Sequence, residues 1–228
     1  MKPFHIIDIS QPVNSKTACF PGDVPFSRNI TVNYETSGVM NLTAFTMSPH
    51  VGTHADAPLH VRGSMADDTE TAGNLPLEPF MGPAAVIDIS PWTDAICWEQ
   101  IENQLVLFEK RFSAFPERIL FKTAQQIRYD AFEERYAWLA PDLIRKLAAH
   151  HIKLVGLDTP SVDAVDSKTL ETHHVLLESS IFWLENLDFS QLVIQPDQPK
   201  CYFLVAQPLK FTELEASPIR AVLLDFSD

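Results

Sequence analysis

The sequence predicts an α/β fold of the mixed, α+β kind: a single domain over residues 1–228, with a mixed β-sheet core flanked by helices. Three observations carry this. Short β-branched and apolar runs recur along the whole chain; helical stretches are fewer and do not alternate strictly with them; and the seven glycines are isolated, matching no dinucleotide or phosphate-binding loop. A chain of 228 residues with 46% hydrophobic and 21% charged residues can bury one substantial core.

In chain order the strand-like runs are FHIIDIS (4–10), NITVNY (29–34), LTAFTMS (42–48), AAVIDIS (84–90), RILFKT (118–123), KLVGLD (153–158), CYFLVA (201–206) and IRAVLLDF (219–226). The clearest helix is PDLIRKLAAHH (141–151), where Pro141 suits the first turn and Leu143, Leu147 and Ala148 recur at helical spacing. Further helices are expected near Trp98–Leu107 and Lys168–Ser179.

A net charge of −13 with scattered lysines and arginines excludes a phosphate backbone as partner. The N-terminal MKPFHIIDIS lacks the apolar core of a signal peptide, and no run of eighteen apolar residues occurs, so a soluble, cytoplasmic protein with no membrane contact is expected. Cys19, Cys97 and Cys201 are few, odd in number and far apart. They imply neither a disulfide framework nor a cysteine zinc site, so any metal must be held by nitrogen and oxygen.

Such donors cluster in SPHVGTHADAPLHV, Ser48 to Val61, where three of the chain's eight histidines and an aspartate fall within eleven residues. Pro49, Gly52 and Pro58 argue against a helix. In extended chain the even positions His50, His54, Asp56 and His60 project from one side, while Val51, Thr53, Ala55 and Leu59 face the other. Three imidazoles and a carboxylate on one surface suit zinc, with manganese or iron as alternatives, and the lack of cysteine favours a catalytic over a structural site. Solvated loop histidines are the bland alternative, a better description of one histidine than of three.

A second polar cluster holds His173, His174, Glu178 and Glu185. On one unbroken helix His173 and Glu185 would stand roughly 18 Å apart, too far for one metal centre. A break at Ser179 and Ser180, followed by IFWLEN as a strand, would bring Glu185 back. Taken alone, Glu178 and Glu185 read equally well as solvated acids and His174 as a packed histidine.

HVGTHADAPLH resembles the His-x-Gly-Thr-His-x-Asp-x-Pro-x-His signature of the cyclase-like metal-dependent hydrolases. LVGLDTPSVDAVDSKTLETHH, with DISQPV, PGDVPF and FMGPAAVIDIS, is similar to their bacterial kynurenine formamidase (arylformamidase) branch, nearly end to end. The resemblance implies a swivelling β/β/α-like fold and a two-zinc site, with manganese as an alternative. His50 and His54 would bind the first metal and His173 the second, with Asp56 and Glu185 contacting both. His60, a possible ligand from spacing alone, would instead be the proton donor and acceptor. The implied reaction is hydrolysis of N-formyl-L-kynurenine, an aryl formamide, by a homodimer. Where the family usually has a tryptophan before PGD this chain has Phe20, which keeps a stacking face for the substrate ring but loses the indole donor.

An isatin hydrolase-like relative, or a metal-binding interaction module without catalysis, are the rival readings. Asp158 and Asp163 read as turn-forming residues. Lys122 would face the pocket or solvent, and His150 and His151 close a helix. Trp92, Trp98, Trp138 and Trp183 read as core or interface anchors.

Overall fold

The computed structural model describes residues 4–66 and 68–226; Met1–Pro3, part of the signal-peptide argument, lie outside them. Its elements begin with β1 (His5–Asp8), β2 (Ser27–Val32), the short helix α1 (Tyr34–Ser37), β3 (Leu42–Thr46) and β4 (His54–Asp56). Next come β5 (Met81–Asp88), β6 (Ala95–Ile96), α2 (Trp98–Phe112), β7 (Arg118–Lys122), β8 (Trp138–Leu139) and α3 (Pro141–Ala149). The chain ends with β9 (Leu154–Leu157), α4 (Glu171–Glu178), β10 (Phe182–Glu185), β11 (Tyr202–Val205), β12 (Ala216–Pro218) and β13 (Val222–Asp225).

Nine strands form one mixed sheet in the order β1-β13-β11-β5-β7-β9-β10-β4-β12. The centre, β5-β7-β9-β10, is parallel, and antiparallel strands extend it on both sides. Each parallel step is made through a helix, α2, α3 and α4 in turn, as parallel neighbours require. Strand alternation sorts the side chains. Ile87, Ile119, Phe121, Val155, Leu157 and Trp183 pack with the helices, whereas Val86, Leu120, Leu154 and Leu184 pack on the opposite face with β11 and β13.

Every strand-like run of the sequence contains a strand, and the three expected helices are present. Helix α2 runs on to Phe112, opened by Gln100 Oε1 accepting from the Cys97 N–H at 2.8 Å. Helix α4 starts only at Glu171, after Leu170 in the left-handed region at φ 48°, a sparsely populated conformation for leucine. Strands β6, β8 and β12 have two or three residues each, too few to show a period. The extended reading of His50 to His60 holds only for β4: His50 lies in a turn before it and His60 ends a 3-10 turn begun at Pro58. Val51, Thr53, Ala55 and Leu59 are all buried, because β4 lies between β10 and β12.

Candidate metal centre and cavity

The site begins with strand register. In the β4–β10 pair His54 stands opposite Glu185, and Asp56, two residues on, shares their face of the sheet. That face is the one α4 packs on, so His173 in its first turn reaches the same point: Nε2 is 3.6 Å from Asp56 Oδ2 and 3.5 Å from Glu185 Oε1. His50 Nδ1 approaches Asp56 Oδ1 to 3.0 Å. Thus the other four residues expected to be metal ligands, His50, His54, His173 and Glu185, gather around Asp56. His60 stands at the side, Nε2 4.0 Å from Asp56 Oδ2 and its ring 4.5 Å from that of His50. The break at Ser179–Ser180 is present, with Ser180 left-handed at φ 55°, and turns the chain from α4 into β10.

Neighbouring groups fix which imidazole nitrogen faces the centre. His54 Nδ1 lies 2.9 Å from the Gly52 carbonyl oxygen, which can only accept, so Nδ1 carries a proton and Nε2 is turned toward Asp56 and Glu185, each 3.3 Å away. His173 Nδ1 donates to Asp163 Oδ2 at 2.6 Å, leaving its Nε2 turned inward. Asp163 is held in turn by the backbone N–H groups of Thr172 at 2.9 Å and His173 at 3.1 Å. Trp183 Nε1 donates to Asp56 Oδ2 at 3.0 Å, and the Val162 N–H to Glu185 Oε1 at 2.9 Å.

The donors fit a divalent metal. His54 Nε2 and Asp56 Oδ1 are fully buried and, among the described residues, have no hydrogen-bond partner, although they lie 3.3 Å apart. A buried ring nitrogen and carboxylate oxygen left in this state are costly unless a cation joins them. His54, Asp56 and Glu185 offer one set of mutually close ligand atoms, and His50, Asp56 and His60 another, so geometry alone permits His60 either role. Without metal, burial works against charge on His50 and His54, but Asp56 outweighs it and lifts them to about 10 and about 9. Asp56 itself is held well below the carboxylate range, the surrounding histidines overcoming its burial. His60 moves the other way: burial, only partly offset by Asp56, lowers its pKa.

The cluster opens into a cavity of about 910 Å³, whose wall includes His50, His60, His173 and Glu185. Phe20 lines the same cavity, 40% exposed, with Phe132 edge-on at 5.0 Å. Trp92, read as a core or interface anchor, is also part of the wall. Trp183 is buried as expected, but its indole also serves Asp56. Asp163, read as a turn former, orients His173. Asp158 is structural: buried, it accepts from the Thr123 N–H and hydroxyl and the Ala124 N–H. Lys122 faces neither pocket nor water freely but pairs with Asp88 at 3.2 Å. His150 caps α3 and stacks on Trp98 and Phe115, while His174, read as packed, is exposed along with Glu178. Glu215, which no sequence signal marked, places Oε1 3.5 Å from His50 Nε2.

Residues 7–164, which include the His50–His60 stretch, match the model of the Cyclase family. The chain is 39% identical to the kynurenine formamidase of Bordetella avium (strain 197N), covering 95% of this chain and 96% of that one. It is also 39% identical to the kynurenine formamidase of Paracidovorax citrulli (strain AAC00-1), over 97% of each. In fold it is similar to isatin hydrolase A of Labrenzia aggregata (TM-score 0.80, 22% identity, 98% of this chain and 94% of that one). A predicted metal-dependent hydrolase of Bacillus stearothermophilus is similar too (TM-score 0.74, 25% identity, 98% and 99%). With the family model matched across the His-rich strand and relatives aligned almost end to end, the protein belongs to the Cyclase family, beside its bacterial kynurenine formamidases.

Proposed function

We propose that the protein is a metal-dependent aryl formamidase that hydrolyses N-formyl-L-kynurenine to L-kynurenine and formate. The observation that carries this is the ring of histidines and carboxylates around Asp56, open to a cavity walled by aromatic rings, in a chain 39% identical to two kynurenine formamidases. His50, His54 and Asp56 would hold one metal and His173 the other, with Asp56 and Glu185 shared between them. The donor set suits two zinc ions, with manganese as the alternative. When bound, such ions polarise the formyl carbonyl and make a water acidic near neutral pH.

The chain's own residues supply the rest. His60, kept neutral by burial, accepts the proton of the attacking water and delivers it to the aniline nitrogen as the C–N bond breaks, the water oxygen remaining in formate. Phe20 offers a ring face to the aryl group at the cavity wall. A homodimer of single-domain chains is part of this reading. So is a cytoplasmic setting, which suits three unpaired cysteines.

The test is hydrolysis of N-formyl-L-kynurenine, followed by product absorbance, with metal-stripped protein and with zinc or manganese restored. Activity is expected only after restoration, and His60→Ala should lose about 10²- to 10⁴-fold in turnover while keeping its full metal content. Loss of a stoichiometric metal from that variant would make His60 a ligand instead. Folded protein with two metals and no turnover of this formamide would move the assignment to isatin and related cyclic amides.

A further inference from the structure

Tyr136 is 6% exposed yet lines the cavity. Its hydroxyl is buried and, among the described residues, has no hydrogen-bond partner. The nearby Ser161 hydroxyl is close enough to hold the phenol's pKa back a little but is not in hydrogen-bonding geometry with it; it accepts from the Asp163 N–H at 3.2 Å. A folded protein rarely leaves a phenol unmet at such depth, because the lost hydration is not returned by any contact.

The ring's surroundings indicate what should meet it. Three aromatic rings run from the mouth of the cavity inward: Phe20 is exposed, Phe132 half-buried and Tyr136 buried. Phe20 and Phe132 stand edge to face at 5.0 Å, and Phe132 and Tyr136 at 6.4 Å. The inner end lies close to Glu185 and Asp163, which with burial push the phenol's pKa upward, so the hydroxyl keeps its proton and can serve as a donor. Both carboxylates are already engaged, Glu185 by the Val162 N–H and Asp163 by Thr172 and His173. With none of these groups in hydrogen-bonding geometry with the phenol, a molecule in the cavity is placed to supply the acceptor.

We propose that Tyr136 determines specificity, its hydroxyl donating to a carbonyl oxygen carried ortho to the scissile formamide on the substrate's aromatic ring. This rests on the formamidase reading. There the formyl oxygen is turned toward the metal-holding residues, and a ring seated along Phe20 and Phe132 presents its ortho substituent to the third ring of the row. An ortho ketone engages one lone pair with the formamide N–H of its own molecule. Its second lone pair is free for a phenol.

The experiment compares wild type with Tyr136→Phe on three substrates: N-formyl-L-kynurenine; 2-formamidoacetophenone, which keeps the ortho ketone but lacks the amino acid; and formanilide, which lacks both. The variant should lose about 10- to 100-fold in kcat/KM on the two ketones and change by less than about twofold on formanilide. Its metal content and melting temperature should equal those of wild type, because no hydrogen bond of good geometry within the protein is removed. Equal losses on all three substrates, no loss on the ketones, or a loss confined to the amino acid substrate would each overturn the assignment. So would a clearly lowered melting temperature, which would reveal a protein partner for the hydroxyl. Wild-type protein inactive on all three would sink the formamidase reading, and this inference with it.

Discussion

Asp163 shows how much of a site can rest on a residue that touches none of the reacting groups. It accepts the Nδ1 proton of His173 at 2.6 Å and is braced by two backbone N–H groups of the same helical turn, so the imidazole is fixed in both tautomer and direction. An asparagine there would keep the shape but lose the charge that makes the ring a better donor. Asp163→Asn should weaken metal binding about 10- to 100-fold, read by competition with a chelator, before any effect on turnover is considered. Unchanged affinity would reduce Asp163 to a helix-capping role. Neither this dependence nor that of Asp56 on Trp183 was legible in the sequence. The motif histidines show themselves by local spacing, but Trp183 meets Asp56 across 127 positions, and nothing in an apolar run marks one indole as a donor. Tyr136 and Glu215 escaped notice for the same reason.

At the scale of elements, the sequence was most readable where a period had room to show. The strands at the sheet's centre came from runs such as RILFKT and KLVGLD, and the helices from apolar spacing, whereas their parallel pairing is seen only in the structure. Strand β4 carries two of the five expected ligands in three residues, too short for apolar alternation, and it was the spacing of its metal-binding residue types that revealed it. Gly156 sits in β9 at a point where the neighbouring side chains leave no room for a Cβ. A Cβ there would come within 2.7 Å of Leu120 Cδ2 and 2.8 Å of Leu187 Cδ1, both on fully buried side chains with no space to yield. Gly156→Ala should therefore destabilise the protein by about 1–3 kcal/mol, lowering the melting temperature by roughly 2–12 °C. Strand β9 leads into the loop that carries Asp163, and its neighbour β10 carries Glu185, so metal affinity should fall alongside. A variant that melts like wild type would mean the leucines repack freely.

For the whole molecule, the feature the single chain leaves unexplained is the hairpin of β2 and β3, which pair only with each other, outside the nine-stranded sheet. A two-stranded ribbon is marginal by itself, and this one bears Ile30, Tyr34, Val39, Met40, Leu42 and Phe45, each at least half exposed. At roughly 100 Å² apiece these side chains present on the order of 600 Å² of apolar surface, close to the ~800 Å² that each partner contributes to a standard interface. The pairing register places Ile30 and Phe45 on one face, Leu42 on the other. Apolar groups on both faces suit an arm enclosed by a partner better than one laid on a flat surface, and a second copy of this chain is the occupant that the proposed homodimer supplies. Wild-type protein should sediment as a dimer at micromolar concentration, and Ile30→Glu combined with Phe45→Glu should give a folded monomer, because two carboxylates cannot be desolvated without partners. A monomeric wild type, or a variant that remains dimeric, would rule the arm out as the contact. Since Phe20 and Gly22 in the cavity wall lie just ahead of β2, the monomeric variant should also show a raised KM with its metal content unchanged.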